Sequence, residues 1–381
     1  MSQPRWFAGL MTGTVLDGEI DVALIRTDGH DITEFGPSGM VPYPDRLRQR
    51  LAECVEAAAA WDFHGPEPAI FGEMETETTV VQSDAVIEFV RASGVDMTNI
   101  AAIGFHGQTI LHRAPTMHKT GNTRQLGDGA LMAARTGRQV VYDFRSADMT
   151  EGGQGAPLCP VYHAALLNRH GFGPEAAILN LGGIGNITWR SSAGELVGFD
   201  TGPANAPIND WIRHHGAGTM DTGGKTASKG SVDETTLSQL LEHPYFNTPF
   251  PKSLDRLDFA SSMADGLSLE DGAALLTAFA AGAVAKAVGS LPESISNLIL
   301  CGGGRHNPAL VKAIASRANV QVTMADDLGW RGDSLEAECF AFLAARRLAN
   351  LPGSFPGTTG VLAPLIAGRI AAPRSFAKLK R

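Results

Sequence analysis

At 381 residues, with 44 % apolar and 19 % charged side chains, the chain is long enough for two hydrophobic cores and too apolar to stay disordered. A net charge of −9 argues against nucleic acid as the main partner, because no basic face is implied beyond a short tail from Arg374 to Arg381. The cysteines, Cys54, Cys159, Cys301 and Cys339, form no CxxC pair, so neither a zinc site nor a disulfide framework is expected and a reducing cytoplasmic setting fits.

Two β-prone runs, 6–11 and 20–27, flank a turn made of Thr12, Gly13, Thr14, Val15, Leu16, Asp17 and Gly18. Two readings stay open for it. It is an ordinary hairpin between core strands, or its glycines let backbone N–H groups converge on a phosphate while the threonines and Asp17 supply donors and an indirect metal contact. Residues 45–61 and 67–92, rich in Ala, Glu, Leu and Val, predict helices. A short apolar strand, 100–105, delivers His106 and Gln108 to its end, where sites in open α/β sheets gather. A polar loop follows, then Gly127 and Asp128, a helix over 130–136, and a strand over 139–142 that ends in Asp143-Phe144-Arg145. A carboxylate at a strand end is well placed for catalysis. Residues 151–157 read as a crossing loop at a domain change, before a helix over 158–169.

The opening theme then returns. Strand 177–181 feeds the turn Gly182-Gly183-Ile184-Gly185-Asn186, a second strand runs through Trp189, and strand 196–199 ends in Asp200 and Thr201 ahead of a helix over 208–215. The segment ending in Gly224-Lys225-Thr226 has the tail of a Walker A motif, but position 219 is Thr where the motif needs Gly, and no strand feeds it. It reads as a surface turn. Ser268 starts a helix running to Val288, whose Lys286, Gly282 and short length speak against a membrane span. Strand 297–301 leads into Gly302-Gly303-Gly304, and Asn307-Pro308 opens a helix to Arg317, a dipole end and a bare backbone that suit adenosine. A strand over 320–323 follows, and Asp333 to Glu336 reads as the cap of a helix to about residue 351.

No GxGxxG, HExxH, GxSxG or protein-kinase set occurs. Three glycine turns, each after an apolar strand, together with acidic strand ends, describe a nucleotide clamped between two lobes of similar build. Such a pair suggests an old internal duplication.

Residues 11–18, 104–109, 127–128, 143–145, 152–157, 180–186, 200–203 and 301–304 occur in an order that resembles the anhydro-N-acetylmuramic acid kinase family over essentially the whole chain. The resemblance implies an α/β fold of two ribonuclease-H-like lobes of the actin and hexokinase type, with ATP in the cleft between them. Lobe I is expected at 1–145, completed by 352–381, and lobe II at 146–351. The implied reaction opens 1,6-anhydro-N-acetylmuramic acid with water and phosphorylates O6 from ATP, as in peptidoglycan recycling. Asp143 is the implied general base. Residues 12–18, Gly182, Gly183, Gly185, Asn186, Gly302, Gly303, Gly304 and Asn307 would bind ATP. Asp17 and Asp200 would hold Mg²⁺ through water, and His106, Gln108, Asp128, Arg145 and Thr201 would face the sugar, with Arg145 or a neighbour on its lactyl carboxylate. A cytoplasmic homodimer without nucleic-acid or membrane partners completes the expectation. A kinase for a related amino sugar is the alternative, and a non-catalytic ATP-binding switch or chaperone-like ATPase a more distant one. Three departures stand out: Thr12 and Val15 replace family serines, Glu19 lengthens the first turn, and Tyr142 stands where Gly is usual.

Overall fold

The computed structural model describes residues 3–13, 18–115, 119–254 and 258–373. The chain divides into two compact units, Met1–Arg169 with Glu336–Arg381, and His170–Leu335.

The first unit opens with an antiparallel meander of β1 (Arg5–Met11), β2 (Glu19–Thr27) and β3 (Ile32–Pro42). Helices α1 (Asp45–Trp61) and α2 (Ala69–Ala92) follow. Next come β4 (Ile100–Phe105), a separate hairpin of β5 (Gln108–Arg113) and β6 (Asn122–Leu126), α3 (Gly129–Thr136), β7 (Gln139–Tyr142), α4 (Phe144–Thr150) and α5 (Pro160–Arg169). β4 pairs parallel with β1, and β7 parallel with β4. Both β1 and β4 are buried along most of their length, which is why they read as unbroken apolar runs and not as alternating ones.

In the second unit β8 (Ala176–Leu181), β9 (Ile184–Arg190) and β10 (Leu196–Pro203) form a second antiparallel meander. Helices α6 (Asn205–His214), α7 (Glu234–Leu240) and α8 (Leu269–Gly289) follow, then β11 (Asn297–Cys301), α9 (Pro308–Ala318) and β12 (Gln321–Met324). β11 is parallel to both β8 and β12. The sheet order β10-β9-β8-β11-β12 repeats β3-β2-β1-β4-β7, with the same strand directions. Each unit is therefore ribonuclease-H-like, and the repeated theme in the sequence is a repeated topology.

The chain then returns to the first unit through α10 (Leu335–Leu348) and β13 (Arg369–Ala371), which pairs antiparallel with β7. Residues 146–169 and 336–351, expected in the second lobe, thus belong with the first unit. Close packing explains the return of α10. A Cβ on Gly9 would lie 1.9 Å from the Ala337 carbonyl oxygen, and one on Gly104 would lie 1.9 Å from that of Phe340. The helix backbone rests directly on β1 and β4. Gly104→Val should therefore lower stability by about 3 kcal/mol or more through overpacking. A chemical denaturation curve reads this directly, and an unchanged midpoint would contradict the packing.

α8 is the one helix among the described residues long and apolar enough to cross a membrane, but 78 % of its most apolar window is buried inside the fold. Its alanines and glycines serve close approach: a Cβ on Gly272 would meet the Trp211 ring at 2.3 Å. Ser268 caps it as expected, accepting from Asp271 N at 3.1 Å.

Candidate active site

In the first unit Leu10, Phe105 and Tyr142 lie in register across β1, β4 and β7. The residues that follow these three parallel strands come out at one edge of the sheet, which brings Thr12, His106 and Asp143 to the same side. Thr12 is buried and its hydroxyl donates to the Gly107 carbonyl at 2.8 Å, tying the end of β1 to the end of β4. Gln108, also buried, donates to the Gly13 carbonyl at 3.2 Å. Gly107 has φ +73°, and a Cβ there would meet the Leu126 carbonyl oxygen at 2.3 Å, so the turn out of β4 accepts only glycine. Thr14, Val15, Leu16 and Asp17 lie outside the described residues; Gly18 resumes the chain with φ +94°, and Glu19 is drawn into β2 opposite Pro42.

Asp143 occupies the left-handed region, φ 53° and ψ 55°, an uncommon conformation for a side-chain-bearing residue and one that recurs at functional sites. It precedes α4, yet its carboxylate caps no helix N–H. Asp128 behaves differently. Its Oδ1 accepts from Ala130 N at 2.8 Å and Leu131 N at 3.0 Å, the geometry of a helix cap worth about 1 kcal/mol. Of the two aspartates, Asp143 is the one left for chemistry. It lines a small cavity with Phe105, His106, Gly107, Gln125, Leu126, Gly127 and Tyr142. Tyr142 fits there because Gly129 leaves room: a Cβ on Gly129 would stand 2.3 Å from the tyrosine ring. Arg369, on β13, lies over that ring at 5.4 Å and brings Nη1 to 3.8 Å from Asp143 Oδ2.

His106 is buried with its two ring nitrogens engaged. Nδ1 lies 2.8 Å from the Gly107 carbonyl, so it carries the proton, and Nε2 accepts from Arg145 Nη2 at 3.1 Å. Burial and the Arg145 charge hold the imidazole well below its ordinary pKa, which keeps it neutral. His106 therefore orients Arg145 and is not a base. Arg145 Nη1 donates to the Gly155 carbonyl at 2.7 Å, while its buried Nε has no partner among the described residues. The 152–157 loop that presents Gly155 is fixed by buried Asp148, which accepts from Gly155 N at 2.7 Å and Thr359 Oγ1 at 2.6 Å. Burial lowers the Arg145 pKa, and no carboxylate lies within ion-pair distance of it among the described residues. The Glu336 and Asp148 charges oppose that shift without forming an ion pair, so the guanidinium keeps room for an anion in direct contact.

In the second unit Asp200, Asn186 and Asn180 sit opposite one another across β10, β9 and β8, with Cys301 of β11 continuing the row. Immediately beyond this row the chain makes both the 182–186 turn and the 302–304 turn. Asn205 clamps the first, its Nδ2 donating to the carbonyls of Leu181 at 3.0 Å and Gly182 at 2.9 Å. A Cβ on Gly304 would meet Leu181 Cβ at 2.6 Å and Asn205 Nδ2 at 2.9 Å, so the two turns touch. Gly303 is exposed, and a Cβ there would meet nothing within 4 Å. Thr201 is buried and braces Gly185 by donating to its carbonyl at 3.1 Å. Asn307 accepts from Ala309 N and Leu310 N, both at 3.1 Å, and so caps α9. The Walker-like segment packs behind that cap, for a Cβ on Gly224 would stand 2.3 Å from Asn307 Oδ1.

Burial pushes the Asp200 carboxyl up to about 7, against the downward pull of the Leu254 N–H that reaches its Oδ2 at 2.9 Å. No donor reaches its Oδ1 among the described residues. Because the folded pKa lies above the ordinary 3.8, the folded protein holds this proton longer than the unfolded chain does. Without metal, this group's contribution to stability is fully present below 3.8 and is lost as the pH rises to about 7. Buried His163, held down at about 4, acts in the opposite sense over its own range. The check is thus a difference. Asp200→Asn should remove part of the fall in melting temperature between pH 4 and 7, and a parallel displacement of the whole curve would contradict the assignment.

Sequence reasoning missed Asn205, Asp148, Arg305 and Arg369. A large concavity lies elsewhere in the second unit, around Phe246, Phe250 and Lys286, and contains no expected site residue.

The family model for anhydro-N-acetylmuramic acid kinase matches residues 5–373. The chain belongs to this family. It is 58 % identical over 369 residues to the anhydro-N-acetylmuramic acid kinase of Rhizobium rhizogenes, covering 97 % of this chain and 100 % of that one. To the corresponding kinase of Mesorhizobium japonicum it is 56 % identical over 369 residues, with the same coverage. To that of Brucella anthropi it is 55 % identical over 368 residues, covering 97 % of this chain and 99 % of the relative. As a member of the anhydro-N-acetylmuramic acid kinase family the protein is a phosphotransferase.

Proposed function

We propose that the protein opens 1,6-anhydro-N-acetylmuramic acid with water and phosphorylates it from ATP, giving N-acetylmuramic acid 6-phosphate and ADP in the recycling of peptidoglycan. The observation that carries the chemistry is the Asp143 carboxylate, held in a left-handed turn at the edge of its sheet and given to no helix cap. In this reading Asp143 takes a proton from water as the water oxygen bonds to the anomeric carbon. The bond from that carbon to O6 breaks, and O6 bonds to the γ-phosphorus as the bond to the bridging oxygen of ADP breaks. One water is consumed and one phosphoryl group moves.

Arg145 would pair with the lactyl carboxylate, which supplies an anion in direct contact with this buried guanidinium. His106 sets its angle, and Gln108 and Asp128 complete the sugar-side set. In the second unit, Gly182, Gly183, Gly185 and Asn186 would offer backbone N–H groups to the phosphates, and the 302–304 turn with Asn307 would hold adenosine. Residues 12–18 would contribute a second phosphate loop. The open Oδ1 and desolvated carboxyl of Asp200 fit a hydrated Mg²⁺, with Asp17 as the expected second contributor. When bound, the ion would neutralise charge on the transferring phosphate. The family likeness also supports a cytoplasmic location and a homodimer.

Turnover in H₂¹⁸O tests the bond changes. The product, quenched before anomeric exchange, should carry ¹⁸O on C1 and none in the phosphate ester; label in the ester would contradict the reading.

A further inference from the structure

Arg305 is the first side chain after the three-glycine turn, and it is buried with a side-chain exposure of 3 %, while Asp326 and Asp333, which bind it, are half-exposed. Its five N–H donors make five hydrogen bonds. Nε and Nη2 reach Asp326 at 2.6 and 3.1 Å. Nη1 and Nη2 reach Asp333 at 2.5 and 2.8 Å. The remaining donor, on Nη1, reaches the carbonyl of Gly302 at 3.1 Å. The guanidinium plane is thus shared by two carboxylates in paired contacts and by the backbone of the turn itself. Space for it is reserved, because a Cβ on Gly332 would lie 2.5 Å from its Nε. The backbone closes the same ring, with Gly302 N donating to Gly332 O at 3.2 Å. Gly302 holds φ +74° within this frame.

We infer that Arg305, with Asp326 and Asp333, is a positioning device for the nucleotide: it fixes the 302–304 turn against the end of β12 and the approach to α10. Saturated as it is, Arg305 has no donor left for a ligand and acts only through the turn. The inference rests on the reading that this turn holds adenosine. An arginine suits the task where a lysine does not, since only a planar fork can satisfy two carboxylates and a carbonyl at once. The carboxylates also explain why so large a cation tolerates burial next to a backbone stripped of side chains.

The test compares the ATP KM, the sugar KM and kcat of the full-length enzyme, with binding of a fluorescent ADP analogue as a readout independent of turnover. Arg305→Lys and Arg305→Met should raise the ATP KM and weaken ADP binding about tenfold, with the sugar KM and the kcat at saturating ATP within about twofold of wild type. Should Arg305→Met fail to fold, Asp333→Asn, which leaves Asp326 in place, should raise the ATP KM in the same selective way. Gly303→Val separates the inference from its premise, for a Cβ at this exposed position meets no protein atom within 4 Å and the added side chain bears first on a ligand. A raised ATP KM in Gly303→Val with unchanged ATP KM in the Arg305 and Asp333 variants would overturn the positioning role and leave the adenosine reading standing. An unchanged ATP KM in Gly303→Val would overturn both. Equal losses in ATP and sugar parameters would mark Arg305 as a general fold determinant and also overturn the inference.

Discussion

Asp143→Asn should lower kcat by about a thousandfold, the scale of a lost general base, while ADP binding and the melting temperature stay near wild type. The side chain caps no helix and makes no hydrogen bond within the described residues; its nearest charged partner is Arg369 Nη1 at 3.8 Å. An isosteric amide therefore removes the proton acceptor without removing a fold contact. The left-handed backbone survives as well, since Asn tolerates this region as readily as Asp. Steady-state kinetics beside a thermal melt would check it. Wild-type kcat in a folded Asp143→Asn enzyme would move the base elsewhere.

Arg145→Met should raise the KM for the anhydro-sugar about a hundredfold, as expected for removing one partner of a desolvated charge pair. Among the described residues its hydrogen bonds go to a carbonyl and a neutral imidazole, and the carboxylates of Glu336 and Asp148 act on it only from beyond ion-pair distance. Part of the cost of desolvating it is left for a substrate anion to offset. The sharpest measurement is a double-mutant cycle against 1,6-anhydro-N-acetylglucosamine, which lacks the lactyl group. That sugar should bind wild type and variant about equally. An equal loss for both sugars would mean that Arg145 only supports the 152–157 loop through Gly155. His106→Gln, which keeps an acceptor near Arg145, should show a weaker form of the same selectivity.

Much of this arrangement was legible in the sequence because the strands that carry it are buried on both faces. Runs such as residues 100–105, 139–142 and 297–301 stand out as apolar segments ending in Gly, His or Asp, and strand ends are where an open sheet presents chemistry. β3 was not legible. It contains Gly36, Pro37 and Gly39, which a strand tolerates only at the edge of a sheet, where β3 lies. The β5–β6 hairpin reads as loop because Gln, Thr, Asn and Arg dominate it. α4 gives no starting signal, for the residue before it is Asp143 in a left-handed turn that caps nothing. The division of the units was misplaced for a reason of packing: the fit of α10 onto Gly9 and Gly104 joins residues more than two hundred positions apart.

Asp333 shows how local patterns mislead. In sequence it reads as the cap of α10, yet its carboxylate oxygens go to Arg305, which lies 28 positions earlier. Asp128 carries the opposite lesson, a residue singled out for the sugar whose carboxylate also starts α3. Glu19, the added residue of the first turn, lies in β2 opposite Pro42.

A single assay reaches the substrate directly. Purified enzyme with ATP and Mg²⁺ should convert 1,6-anhydro-N-acetylmuramic acid to N-acetylmuramic acid 6-phosphate, one ADP formed per sugar consumed, with N-acetylmuramic acid and N-acetylglucosamine turned over far more slowly. ADP release without sugar phosphorylation, or preferred phosphorylation of either open-ring sugar, would contradict the account.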